Sequence, residues 1–217
     1  TLFRSIARSL SSRVVRQFSD AAPWEVARAA SLLGIVECLS GNIPASAHYS
    51  ASSARIVNHP SIQTTAAALL LWLLLSAGQH QLARKVLDRF EDRNWQGLTP
   101  SLSWVPLAAR IILDLVEKGV LSSQLTFLRV MNKMDSYWLR GVVCVVIAGA
   151  YAELEAFGCV GDMIKDGMSD LYMAGVKMHN MLTVCSGLIR VGREWVDPSM
   201  YKIKEKVSPN IVERFVS

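Results

Sequence analysis

Residues 66–77, from Ala66 through Leu69, Leu70, Leu71, Trp72, Leu73, Leu74 and Leu75 to Ala77, form a run of twelve without a charge, and the run stops at Gly78. A helix that is apolar on every side has to be covered on every side, by protein or by lipid. At the helical rise of about 1.5 Å per residue, this run reaches about 18 Å, well short of the ~30 Å hydrocarbon core of a bilayer. The run therefore predicts the central helix of an all-α stack, and no transmembrane span. A second apolar stretch, Tyr137 to Phe157, has an uncharged core from Gly141 to Ala152 and is again too short to cross comfortably.

The remaining helices are read from apolar spacing and from their punctuation. Pro23 suits a first turn, and Trp24 to Leu33 carries apolar residues at helical spacing before Gly34. Leu82 to Arg93, Val105 to Lys118, Gln124 to Met134, Asp162 to Met173 and Met181 to Val191 read in the same way. The closing stretch, Ser199 to Phe215, is basic, and Pro209 is expected to break it. Residues 41–60 are rich in Ser and Ala and contain Asn42, Pro44, Asn58 and Pro60, so they read as a long loop. No strand is expected; the valine-rich patch at 142–147 is short and lies in a helical frame.

The chain repeats itself in two ways. Gly34, Gly78, Gly119, Gly158 and Gly192 follow apolar helices at separations of 44, 41, 39 and 34 residues. Val14-Val15-Arg16-Gln17-Phe18, Val86-Leu87-Asp88-Arg89-Phe90 and Ile211-Val212-Glu213-Arg214-Phe215 share one pattern, two aliphatics, two polars and Phe, with Val130 to Met134 a looser copy. A two-helix unit of about forty residues is the mark of an α-solenoid, because one unit alone leaves its apolar helix uncovered. The expected fold is all-α, stacked helical hairpins in a single helical-repeat domain over 1–217, with the loop at 41–60.

The stretch Phe18 to Gly34, with its Phe18-Ser19 and its run through Ala29, Ala30, Leu32 and Leu33 to Gly34, resembles one unit of the degenerate helical repeats of organellar RNA-binding proteins. These are the FASTK/RAP-type and octotricopeptide-like group. The likeness covers about 17 residues, and Leu82 to Gly119 follows it in layout rather than in letters. No RAP-like C-terminal domain is apparent. The resemblance implies RNA binding, or a place in a mitochondrial ribonucleoprotein such as the ribosome.

The opening run bears on compartment as well. Thr1 to Ser19 contains four arginines and five serines, and the first acid is Asp20. Such a run has the composition of an organellar transit segment. Phe3, Ile6, Ala7, Leu10, Val14 and Phe18 also share one helical face, and the run is read as the first helix of the fold. A mitochondrial matrix location is the resulting expectation.

Catalytic signatures are missing from the letters. There is no glycine-rich phosphate loop and no HExxH, and His48, His59, His80 and His179 are scattered. Glu153 and Glu155, two apart, cannot share a helix face as an acid/base pair. Ser186-Gly187 lacks the setting of a nucleophile elbow. Cys38, Cys144, Cys159 and Cys185 stand apart in apolar surroundings and read as core residues. The expectation is a non-enzyme with no cofactor, no metal and no small-molecule substrate.

Binding rests instead on charge. The net charge is +5, which favours a phosphate-bearing partner. Three groups of cations lie on amphipathic helices: Arg4, Arg8, Arg13 and Arg16; Arg84, Lys85 and Arg89; and Lys202, Lys204 and Lys206. Aligned on one face they would form a track for RNA. The six tryptophans read as core and interface anchors. With 51% hydrophobic and only 19% charged residues, apolar faces are expected to meet other subunits of a large complex. The leading expectation is thus a helical-repeat subunit of a mitochondrial ribonucleoprotein, contacting rRNA and protein. The rival is an accessory structural subunit of a mitochondrial membrane complex (respiratory or ATP synthase), and a cytosolic helical adaptor is a third reading.

Overall fold

The computed structural model describes residues 9, 23–39, 42–57, 59–91, 98, 102–201 and 206–217. Among them the chain is all-helical, with no strand. Ten α-helices follow one another: α1 Pro23–Leu39, α2 Ile43–Ile56, α3 Pro60–Ser76, α4 His80–Glu91, α5 Trp104–Lys118, α6 Val120–Met131, α7 Tyr137–Glu153, α8 Val160–Met173, α9 Met178–Val196 and α10 Pro209–Val216. Short 3₁₀ turns occupy Phe157–Cys159 and Pro198–Tyr201. Helices adjacent in sequence pack in pairs, as the stacked-hairpin expectation requires.

The chain divides into two compact units. One holds α1 to α4 together with α10, and the other holds α5 to α9.

In the first unit α3 is the buried centre. Ala66, Ala67, Ala68, Leu70, Leu71, Leu74 and Leu75 have no exposed surface. Each leucine so covered contributes about 1.5–3 kcal/mol, which is why a helix with no polar face is stable here. His59 Nδ1 accepts from the Ser61 N–H at 3.3 Å to cap its start, and Pro60 opens its first turn. Gly78, at φ 67°, closes it: the Gly78 N–H reaches Leu75 O and the Gln79 N–H reaches Leu74 O.

The loop expected at 41–60 is instead mostly helix. Residues 43–56 form α2, because Asn42 and Pro44 act together as a start signal rather than as a turn. The Asn42 side chain accepts from the Ala45 N–H, and Pro44 occupies the first turn. Nor do the serines divert the backbone. Ser53 Oγ donates to Ser50 O at 2.8 Å within the helix, and Ser46 Oγ donates across to Gly34 O at 2.6 Å. Ser46, Ala47, Ser50 and Ala54 are small enough to bring α2 hard against α1.

α10 is fastened into the same unit by two devices. The Gln79 side-chain amide makes both bonds to one backbone residue: Gln79 Nε2 donates to Val207 O at 2.9 Å, and the Val207 N–H donates to Gln79 Oε1 at 2.7 Å. Phe215 then stacks on Phe90 of α4, with centroids 5.3 Å apart and planes 17° from parallel. Pro209, expected to break a longer helix, sits in the first turn of α10.

In the second unit α7 is the centre, buried continuously from Gly141 to Tyr151. Glycines let its neighbours approach. A Cβ on Gly141 would come within 2.9 Å of Gly167 O on α8, and one on Gly192 of α9 would strike the Val146 carbonyl oxygen. Gly149 faces Ile189 O of α9 in the same way. Arg140 pairs with Asp170 and Arg193 with Glu153, tying α7 to α8 and α9. On the other side, Tyr151 OH donates to Ser123 Oγ at 3.1 Å, and Ser123 Oγ donates to Ile111 O at 3.0 Å. Thr126 Oγ1 donates to the buried Asp114 carboxylate at 2.7 Å, so the polar atoms between α5 and α6 are matched. Trp104 and Trp195 stack at 5.6 Å.

The glycine ruler needs correction as well. Gly78 and Gly119 end helices with positive φ, but Gly34 lies inside α1, Gly192 lies inside α9, and Gly158 sits in a 3₁₀ turn. Gly34 and Gly192 are there because a neighbouring helix occupies the space of a side chain.

Candidate nucleic-acid interface

The structure sorts the expected basic residues. Arg4, Arg8, Arg13, Arg16, Lys202 and Lys204 lie outside the described residues. Lys206 is exposed ahead of α10. On α4 the apolar spacing turns Ala83, Val86, Leu87 and Phe90 inward, which leaves Lys85, Asp88 and Arg89 exposed. Arg84 is half-buried and has contacts of its own.

Arg89 opens on a pocket of about 250 Å³ within the first unit. Its lining comes from four helices: Ala54 and Arg55 from the last turn of α2, Gln63 from α3, Arg89 and Phe90 from α4, and Arg214 and Phe215 from α10, with Ser217 just beyond. Three arginines therefore line one concavity. Arginine keeps its charge at any physiological pH and offers five N–H donors in a planar fork. Among the described residues no carboxylate pairs with Arg55, Arg89 or Arg214. Asp88 and Glu213 are the chain neighbours of two of them, but consecutive helical residues point about 100° apart, and both acids are exposed.

The repeated pentapeptide builds half of this site. In Val86 to Phe90 and Ile211 to Phe215 the second aliphatic is buried, the acid and the Arg are exposed, and the Phe is buried in the first and half-buried in the second. Packing α10 on α4 through the two phenylalanines sets Arg89 and Arg214 around the same opening. In the sequence alone the pattern reads as a shared ending of amphipathic helices. Arg55 falls in a segment whose Ser, Asn and Pro content reads as loop, and Arg214 stands beyond the lysine group at 202–206, so the letters mark neither.

The second unit presents a different surface. Leu121, Leu125 and Leu128 lie one helical turn apart along the outer face of α6, with 72%, 50% and 55% of their surface exposed. Gln124, on the same face, reaches Cys159 Sγ at 3.9 Å, next to the exposed Phe157.

All four cysteines are free, and burial pushes the Cys144 thiol up to about 12, with Asp170 and Asp166 adding to the shift and Arg140 opposing it. Burial also raises Cys185 and Tyr151, the latter against its hydrogen bond to Ser123. His59 caps α3 and meets Trp24 edge-on at 4.8 Å. Among the described residues no three His, Cys, Asp or Glu side chains gather as a metal site, and no helix is long and apolar enough to cross a membrane.

Comparison with known protein families, characterised proteins and solved structures finds no match to this chain.

Proposed function

We propose that the chain is a non-enzymatic helical-repeat subunit of a mitochondrial ribonucleoprotein, the ribosome or its assembly, which holds RNA by its basic helices and other proteins by its apolar faces. The observation that carries this reading is the convergence of Arg55, Arg89 and Arg214 on one pocket with no carboxylate partner among the described residues. Guanidiniums left unneutralised in a concavity favour an anionic ligand, and RNA phosphates supply one. The compartment comes from the Arg- and Ser-rich opening run and from the resemblance at Phe18 to Gly34.

Binding of a short single-stranded RNA to the full chain, measured across a range of salt concentrations, tests the reading. Each phosphate neutralised on a single strand adds about 0.7 to the slope of log K against log salt, so replacing all three arginines by Gln is expected to flatten it by at least about 0.7. An unchanged slope and affinity in the triple variant would remove the pocket from RNA binding.

The leucine face of α6 favours a second reading, an accessory structural subunit of a mitochondrial membrane complex, in which that face packs against a partner subunit and no RNA is bound.

A further inference from the structure

The shape and charge of the arginine pocket point to a narrower ligand than an RNA strand in general. We propose that Arg55, Arg89 and Arg214 recognise the terminal phosphomonoester of an RNA chain rather than its internal phosphodiesters. The inference rests on the RNA-binding reading above. A strand passing over the surface presents each internal phosphate with one negative charge and a nucleotide on either side, and proteins that track it do so along an open groove. A terminal phosphate carries about −1.5 to −2 near neutral pH and ends the chain, so it can enter a concavity. Three arginines lining one pocket match a doubly charged group with three non-bridging oxygens better than a singly charged diester, and each guanidinium fork can take two of those oxygens.

The size agrees. At about 250 Å³ the pocket lies below the roughly 300–1,000 Å³ of sites for whole drug-sized ligands, so it admits a phosphate with part of its nucleoside. Its walls agree as well. Phe215 is half-buried and lines the pocket, held by its stack on Phe90, and offers an aromatic surface beside the arginines. An aromatic wall next to an anion socket fits a nucleotide, whose base or ribose can lie against it, more closely than a phosphorylated serine on a peptide.

The arginines are set by three separate anchors. The backbone of Arg55 is carried by the last turn of α2, that of Arg89 by a helix held through the buried Val86, Leu87 and Phe90, and that of Arg214 by a helix held through the Gln79 clasp and the Phe90–Phe215 stack. No residue of the second unit lines the pocket.

The experiment compares three versions of one ten-nucleotide single-stranded RNA, carrying a 5′-phosphate, a 3′-phosphate or hydroxyls at both ends, bound to the full chain at fixed salt. One phosphorylated form is expected to bind about tenfold tighter than the hydroxyl form, with that preference falling below about twofold in Arg89→Gln and in Arg214→Gln. Arg89→Lys keeps the charge but loses the fork, and an intermediate preference is expected from it; thermal melts show that each variant is folded. Equal binding of all three RNAs would overturn the inference while leaving RNA binding in place. Binding of none of them would overturn both. A phosphoserine peptide that competes as well as the phosphorylated RNA would reassign the pocket to a protein ligand and also overturn it.

Discussion

The two units solve the same packing problem and leave different surfaces behind. Each buries a helix with almost no polar face, α3 in the first and α7 in the second, by drawing neighbours in over small residues. The first unit draws α2 against α1 with Gly34, Ser46 and Ser50, and one of the atoms at that crossing is a hydroxyl that can turn. The second draws α8 and α9 against α7 with Gly141, Gly149, Gly167 and Gly192, and there the obstacle to any added atom is mostly backbone. Outside, the first unit carries an arginine-rimmed pocket and the second a leucine-lined helix face. Small-residue packing thus settles how closely helices approach but leaves the outward chemistry open. Function has to be read from what each unit exposes.

Several substitutions break or sharpen that contrast. Gly192→Ala carries the largest expected effect. Its methyl would collide with Val146 O and come within 2.9 Å of Ala150 N, neither of which a rotamer change can move, and the collision outweighs the roughly 1 kcal/mol that Ala gains over Gly in a helix. A loss of about 3 kcal/mol or more is expected in chemical denaturation, and a loss under 1 kcal/mol would contradict the rigid crossing.

Gln79→Ala comes next, because it leaves the Val207 N–H and C=O without their shared partner and releases the fastening of α10. A cost of about 1–3 kcal/mol is expected, together with weaker RNA binding, since Arg214 depends on α10 for its position. Hydrogen exchange at the α10 amides, faster in the variant and unchanged in α7, is the measurement that checks it.

Ser50→Ala should move the other way. Ser50 Oγ is buried with no hydrogen-bond partner in the described structure, so removing it is expected to stabilise the chain by about 1 kcal/mol. The same change opens the crossing enough for Gly34→Ala, whose methyl otherwise meets that oxygen at 2.6 Å. The double variant is expected to melt above Gly34→Ala alone; a lower melting point would show that the first unit is as rigid as the second.

The smallest effect concerns Cys144. Its folded thiol holds the proton up to about 12, whereas the ordinary value of 9.0 applies once the chain unfolds. The folded pKa is the raised one, so this stabilisation is complete below pH 9 and is lost as pH rises from about 9 to about 12. At pH 8 Cys144 is expected to resist a soluble thiol reagent in the native chain, as read by mass spectrometry of labelled peptides. Rapid labelling there would contradict the tight packing of α7 on α8.

The helical architecture was legible because its signals are local. Residues 66–77 have no polar face, Val86 and Phe90 fall on one side of α4, and Gly119 follows Lys118, and each signal gives the same answer in isolation as in the fold. What was misread depends on neighbours. Asn42, Pro44, Asn58 and Pro60 are turn formers and helix starters alike, and residues 43–56 are helical because Asn42 caps them and the small residues of that helix pack on α1. Gly34 and Gly192 look like helix stops in the letters, yet Gly34 sits where the Ser50 hydroxyl, and Gly192 where a second backbone, comes too close for a Cβ. For the candidate site, Lys85 and Arg89 were legible as an exposed pair on an amphipathic helix. The pocket was not, because Arg55, Arg89 and Arg214 are far apart in sequence and meet only when Phe215 stacks on Phe90.

The most direct test of the central claim, that this chain works as part of a ribonucleoprotein, is its sedimentation from native extract with and without RNase. The account predicts a large complex that contains ribosomal RNA and disperses when the RNA is digested. A complex that survives RNase and follows the membrane fraction would contradict it, and would give the leucine face of α6 the leading role instead.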